Sequence, residues 1–148
     1  MLSIVANQLI YPDIIFKSTV TITSSLINSI QYLNTITKKT NNNELNTYLN
    51  LNEVVEDIGI IKSFIDEKQN NNRLESKTMN ICIENLSLIL YELEYNINSI
   101  TSKIENHHNL WFNYLRSYNI SSESSKIPKL IEKMRHRFEI LIKISSVI

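Results

Sequence analysis

The three histidines are the side chains of this sequence best suited to bind a metal ion. Glu105 and His108 are three residues apart, the spacing at which helical bundles pair a carboxylate with a histidine around a metal. A two-metal site needs the same pair on a second helix, but Lys133 lies three residues before His136. We therefore predict no metal site and no cofactor, and we interpret His107 as a polar core residue that is hydrogen-bonded across helices.

Catalysis by a nucleophile has little support in the residue types available. The single cysteine, Cys82, lies beside Ile83 in an apolar stretch, where a buried and inert thiol is the usual outcome. With one glycine, the chain has neither a glycine-rich phosphate loop nor a Gly-x-Ser-x-Gly turn. Its paired acids are typical of solvated helix faces. We predict that the protein is not an enzyme.

Aromatic side chains are concentrated just after the two adjacent histidines. Neighbouring residues on a helix point about 100° apart, so Trp111 and Phe112 face different surroundings. Two interpretations of Phe112 are open: it is partly exposed, or helix 1 or the N-terminal arm covers it. Exposed aromatic residues together with Arg are common anchors of protein interfaces. The sequence therefore predicts a partner-binding surface formed by Trp111, Phe112, Tyr114 and Tyr118.

The last predicted helix is the most basic segment of the chain. Its basic side would offer a contact for a membrane or another anionic surface through Lys129, Lys133, Arg135 and Arg137. In the alternative that we favour, the apolar stripe of this helix faces the core and the basic side faces water. Basic and acidic residues are equal in number, 15 each, so we do not expect nucleic-acid binding.

A heptad pattern between residues 74 and 118 is the strongest structural signal in the sequence. Steps of four and three connect two columns that are apolar or aromatic at every position but His107: Met79, Leu86, Leu93, Ile100, His107 and Tyr114, and Ile83, Leu90, Ile97, Ile104, Trp111 and Tyr118. The pattern predicts one long helix, at about 74–118, with a continuous apolar seam along which other helices pack.

Other apolar-periodic segments predict three more helices, at about 12–38, 44–68 and 126–146. Pro12 and Pro128 are expected in the first turns of the first and last of these helices, with Ser124 or Ser125 as the N-cap of the last. Residues 1–11 are interpreted as either a short helix or an N-terminal docking arm.

Three details of these helices are open. Residues 14–24 contain a β-branched stretch that also fits a strand, and we prefer a helix because no partner strand is nearby. Asn52 and Glu53 would cap a fresh helix start, which would break the second helix near residue 51. Gly59 either allows a neighbouring helix to approach closely or is a tolerated defect.

The fold class follows from the helices and from the scarcity of turn residues. One Gly and two Pro in 148 residues argue against β and doubly wound α/β domains. We predict a single all-α domain over residues 1–148. Its architecture would be an antiparallel four-helix bundle with up-down-up-down order, built along the long helix, which we expect to exceed the others by several turns.

Composition also bears on source and location. Asn and Ile make up roughly three in ten residues, a bias that is typical of AT-rich genomes in some protists and large DNA viruses. With one cysteine and no recognisable signal peptide or membrane span, we expect a cytoplasmic protein. Its predicted function is to bind another protein, or a second copy of itself, through an apolar helix face. The alternative is a membrane-active bundle.

Overall fold

The computed structural model describes residues 2–40, 45, 48–70, 77–109 and 120–147, which form a bundle of four α-helices. The helices are α1 (Leu2–Lys39), α2 (Leu51–Asn70), α3 (Lys77–Asn109) and α4 (Ser121–Val147). α1 packs against α2 and α3, and α3 also packs against α4, whereas α2 and α4 meet at few residues. The predicted all-α helical bundle is confirmed.

One hydrophobic core contains residues from all four helices. The predicted seam of α3 is buried at eight successive positions, Met79, Ile83, Leu86, Leu90, Leu93, Ile97, Ile100 and Ile104. Burial of a large aliphatic side chain contributes about 1.5–3 kcal/mol, so this face of α3 stabilises the contacts with α1 and α4. The seam is therefore confirmed between residues 79 and 104, and its continuation from Trp111 to Tyr118 lies outside the described residues.

Residues 14–24 belong to α1, so the strand alternative is wrong. Two threonines of this stretch are buried, and each bonds to a carbonyl of its own helix. The Thr19 hydroxyl donates to the Ile15 carbonyl at 2.7 Å, and the Thr23 hydroxyl donates to the Val20 carbonyl at 2.6 Å. These bonds allow a β-branched polar residue to occupy a helical core position without a partner on another helix.

The start of α1 differs from the prediction. The helix begins at Leu2 and runs through Pro12, so residues 2–11 are its first turns and not a separate arm. Proline fixes φ near the helical value and removes one backbone donor, so a helix can continue through it with the loss of one hydrogen bond. α1 has 38 residues and the described part of α3 has 33. The predicted extension of α3 to residue 118 lies outside the described residues, so the predicted order of helix lengths stays a prediction.

The predicted break before α2 is confirmed, but the capping residue is Asn50 and not Asn52. Leu45, Tyr48 and Leu49 are helical, and Asn50 then turns the chain with a φ of 50°. Asparagine tolerates this left-handed conformation better than most residues. Its carbonyl accepts the Val54 N–H at 3.3 Å, and its side-chain amide donates to the Glu53 carboxylate in the first turn of α2.

α4 begins at Ser121, five residues before the predicted start, so Pro128 lies inside the helix and not in its first turn. The Ile120 carbonyl accepts the Ser124 N–H at 2.8 Å, which closes the first turn. The expected N-cap at Ser124 or Ser125 is therefore wrong. The first turn forms this early because Glu123 is buried there and is bonded to α3.

Contacts near one end of the bundle relate the helix directions. Tyr32, in the last third of α1, is hydrogen-bonded to Glu105, in the last turns of α3. Glu123, in the first turn of α4, is bonded to Ser99 and Lys103 of α3. The carboxyl ends of α1 and α3 therefore lie near the amino end of α4. This arrangement is compatible with the predicted up-down-up-down order, which stays a prediction.

Gly59 has no close neighbour, so the interpretation that it allows a close helix approach is wrong. A Cβ atom added there would have no heavy atom within 4 Å outside its own helical surroundings, and its φ is negative. The remaining interpretation is a tolerated defect, because glycine in a helix interior is about 0.5–1 kcal/mol less favourable than alanine.

We expect Gly59→Ala to raise the free energy of unfolding by about 0.5–1 kcal/mol, because the change limits the unfolded chain without a clash in α2. Urea unfolding followed by circular dichroism measures the change. Ile58→Ala is the neighbouring control: it removes a fully buried side chain and should lower the same quantity by about 2–5 kcal/mol. A loss of stability in Gly59→Ala would contradict the interpretation.

Candidate protein-binding surface

The aromatic anchors predicted from the sequence, Trp111, Phe112, Tyr114 and Tyr118, lie outside the described residues. The structure therefore gives no distance between them and no measure of their exposure. They belong to the segment between α3 and α4. Their predicted role stays a prediction.

The residues that suggested metal or nucleophile chemistry are dispersed. His107 is half-buried in α3 and His136 is exposed on α4. His108 also belongs to α3, but its side chain is not among those that the structure describes. Among the described residues, no three His, Cys, Asp or Glu side chains come together as a metal site would require. Cys82 is half-buried at the side of the seam, where the sequence predicted a buried thiol.

A shallow depression of about 500 Å³ on α4 is lined by Pro128, Glu132, Arg135, His136 and Glu139. Its carboxylates and imidazole could exchange protons. Within this lining, however, no Ser, Thr or Cys is available as a nucleophile.

The basic side of α4 faces solvent, as the favoured alternative predicts. Lys129, Lys133 and Arg137 are exposed, whereas the buried apolar residues of α4 belong to the core. A membrane contact would therefore rest on charge alone unless the bundle opened. None of the helices in the described part of the chain is long and apolar enough to cross a membrane.

Arg135, the fourth predicted anion contact, instead bridges two helices. Its Nε donates to Asp57 of α2 at 2.7 Å, and its Nη2 donates to Glu53 at 3.2 Å. All three side chains are partly exposed, so each pair contributes at most about 1 kcal/mol. Phe64 of α2 and Phe138 of α4 also contact each other, with ring centroids 5.5 Å apart and ring planes at 87°. Side chains thus connect α2 and α4 where their backbones are separated.

Four large apolar residues on α3 are exposed, and we call them the α3 stripe: Ile81, Leu88, Tyr91 and Tyr95. Their exposed fractions are 48%, 62%, 49% and 75%. At about 100° per residue they fall within one quarter of the helix circumference, directly opposite the buried seam. α3 therefore has two apolar faces, one in the core and one in solvent.

The α3 stripe has the size of a functional patch. Large side chains bury about 150–250 Å² each, so at these exposures the four residues present roughly 500 Å². The largest apolar patch on a monomer is typically about 300–600 Å² and is often functional. Other exposed apolar residues, such as Ile14, Ile60 and Ile142, are on separate helices, and single exposed residues are normal on a protein surface.

The α3 stripe is not among the sites predicted from the sequence, although its regular spacing is present there. Ile81, Leu88 and Tyr95 are spaced by seven residues and form a third column beside the two that were recognised. Because polar residues separate them along the chain, this face looked polar. Only the structure shows that the first two columns are buried and that the third is on the opposite side.

A buried carboxylate connects the first turn of α4 to α3. Glu123 is 7% exposed, and its Oε1 accepts hydrogen bonds from Lys103 Nζ at 2.6 Å and Ser99 Oγ at 2.9 Å. Oε2 is buried and has no hydrogen-bond partner among the described residues. Burial raises the pKa of Glu123, but the bonds from Lys103, its own backbone and Ser99 outweigh burial, so the pKa is lowered overall.

Tyr32 is a second polar contact near this end of the bundle. Its pKa is raised because its hydroxyl donates to Glu105, with smaller contributions from desolvation and from the negative charge of that carboxylate. The tyrosine is about half exposed, so water competes with the bond. The contact connects α1 to α3 but provides no reactive group.

Comparisons with known proteins identify no family for this chain. No protein-family model matches it, and no solved structure matches it. An uncharacterized protein of Acanthamoeba polyphaga mimivirus is 33% identical over 73 residues. The alignment covers 49% of this chain and 35% of the viral protein, so the chain spans about a third of that relative. This similarity agrees with one of the two sources that the Asn and Ile content indicates.

We expect Glu123→Gln to lower the free energy of unfolding by about 1–2 kcal/mol at neutral pH, because it removes a charge-assisted bond between α3 and α4. Since folding lowers the pKa of Glu123, the carboxylate stabilises the fold above the ordinary Glu pKa of about 4.3. That contribution is lost as the pH falls through the lower pKa of the folded state. The difference between parent and variant should therefore shrink in acid.

Urea unfolding at a series of pH values measures this difference. The control is Glu139→Gln, which changes an exposed acid of the same helix and should alter stability at neutral pH by no more than about 0.5 kcal/mol. A stability difference for Glu123→Gln that stays constant from neutral to acid pH would contradict an ionised, bonded Glu123.

Proposed function

We propose that this chain is a non-enzymatic interaction protein that binds a protein helix through the α3 stripe. The observation that carries the proposal is a second apolar face on α3, exposed and opposite the core. Exposure of such a face to water is unfavourable, and covering it with another apolar surface lowers the free energy. A structural or scaffold role follows if the bound helix belongs to a larger assembly.

The spacing within the α3 stripe favours a helix as the bound element. From Ile81 this face continues through the half-buried Glu84 and the exposed Leu88, Tyr91 and Tyr95, in steps of three, four, three and four. Alternation of this kind keeps a straight seam along a helix, and a partner helix can pack lengthwise on it. The apolar part, from Ile81 to Tyr95, is about 20 Å long. The partner should carry about two heptads of apolar residues.

Two tyrosines and two aliphatic residues also have suitable chemistry for an interface. Tyrosine is enriched at protein interfaces because its ring buries apolar area while its hydroxyl keeps a polar partner. Polar residues continue this face on both sides, with Lys77 before the stripe and Asn98 and Ser102 after it. The patch therefore has a defined length and a polar rim, as a specific docking surface requires.

The membrane-active alternative predicts a different surface. It requires Lys129, Lys133 and Arg137 to contact anionic lipid, with binding that weakens as salt is raised. Ile142, which is 43% exposed, is nine residues from Lys133, so it lies about 180° around α4 from that basic side. Sedimentation with anionic vesicles at low and high salt tests this alternative independently of the α3 stripe.

The direct test is site-specific photocrosslinking of the full chain. A benzophenone amino acid replaces Tyr95 in the stripe or, as the matched control, Tyr48, which is 65% exposed ahead of α2. In an extract of the cells that naturally make the protein, Tyr95 should yield one discrete adduct, identified by mass spectrometry. Leu88→Glu should reduce that adduct about tenfold or more, because it places a charge in the apolar contact.

Circular dichroism of each variant controls for folding, and the exposed position of Leu88 makes a large loss of helix unexpected. Equal labelling from Tyr95 and Tyr48 would contradict the proposal. An adduct at Tyr95 that is insensitive to Leu88→Glu would also contradict it.

A further inference from the structure

We infer that the helix bound by the α3 stripe is α3 of a second copy of this chain, in an antiparallel pair with two-fold symmetry. This inference rests on the proposed function and names its partner. Three features of the stripe support it: the pairing of its apolar residues with themselves, the placement of its acids and the area that two copies would bury.

Two-fold symmetry requires that the stripe is complementary to itself. With the axis between Leu88 and Tyr91, each Leu88 lies opposite Tyr91 of the second copy, so the two central layers are apolar. One turn outward, Glu84 lies opposite Tyr95 of the second copy, where a phenol hydroxyl can donate to a carboxylate. Glu84, the acid on the same face as the α3 stripe, thus lies opposite Tyr95, the most exposed residue of the stripe, in both halves of the pair.

The acids decide the orientation of the two helices. A parallel pair with closed symmetry would be in register, and Glu84 would face Glu84 across the seam. Like charges in facing positions oppose association. In the antiparallel pair the exposed acid Glu92 lies beside Asn85 of the second copy, a half-buried amide that can donate to it. The antiparallel arrangement therefore avoids the contact between the two Glu84 carboxylates.

The area is sufficient for a reversible dimer. Two α3 stripes facing each other would bury roughly 1,000 Å² in total, at the lower limit of specific interfaces. We therefore expect a dimer that dissociates on dilution. No part of the buried seam needs to be exposed for this contact, because the stripe lies on the side of α3 that faces away from the core.

The first experiment measures the mass of the purified full chain by light scattering over a wide range of concentration. We expect a shift from monomer to dimer as concentration rises, and no such shift in Leu88→Glu. The matched control is Ile60→Glu, which places the same charge at a comparably exposed isoleucine of α2 and should dimerise like the parent. Circular dichroism shows whether each variant remains folded.

The second experiment tests the register and the orientation. Cys82→Ala removes the single native cysteine, and Glu84→Cys and Tyr95→Cys are then introduced in separate preparations. Mixing the two should give a disulfide between them on oxidation, because an antiparallel pair brings positions 84 and 95 within reach. Each preparation alone should give at least several-fold less crosslinked product. In the mixed pair, the symmetry-related contact still has the native Glu84 and Tyr95.

A chain that stays monomeric at its highest attainable concentration would overturn the inference. A dimer that survives Leu88→Glu, or a stronger disulfide within Glu84→Cys alone than in the mixture, would overturn it as well. The proposed function can survive that result: a Leu88-dependent photoadduct with a different polypeptide would retain the binding role of the stripe. If that adduct is also missing, both the inference and the proposed function fail.

Discussion

The fold depends on a single constraint, which is that α3 must bury one continuous apolar face between α1 and α4. Eight residues from Met79 to Ile104 satisfy it, and both neighbouring helices pack against them. α2 is attached to α1 on the far side and reaches α4 mainly through side chains such as Phe64 and Arg135. α3 and α1 are thus the central pair of the bundle, and the exposed stripe is the other side of the same helix.

Helix content and most of the core could be predicted from the sequence because both depend on local periodicity. Apolar steps of three and four predicted the buried face of α3, and all the apolar seam positions between residues 79 and 104 are buried. Helix starts were harder to predict. Pro12 and Pro128 predicted helix starts, but both are interior residues of their helices, where proline removes one backbone donor and its ring crowds the carbonyl four residues earlier.

The candidate site could be predicted less well than the fold, because a site depends on which faces of the helices meet. The third column of α3, Ile81, Leu88 and Tyr95, is visible in the sequence, but its exposure follows only from the positions of α1 and α4. Likewise, nothing local relates Lys103 to Glu123, which are 20 residues apart and on different helices. The predicted anchors near Trp111 lie outside the described residues.

The buried hydroxyls of the bundle have a consequence for how its sequence can change. Thr19, Thr23, Thr37 and Thr101 all donate to a carbonyl of their own helix, three or four residues earlier. Buried polar groups often fix the alignment of helices by bonding across the interface, but these bonds carry no such information. The contact of Tyr32 with Glu105, by contrast, does connect α1 to α3. During evolution these threonines can be exchanged one at a time, without a compensating change on a neighbouring helix.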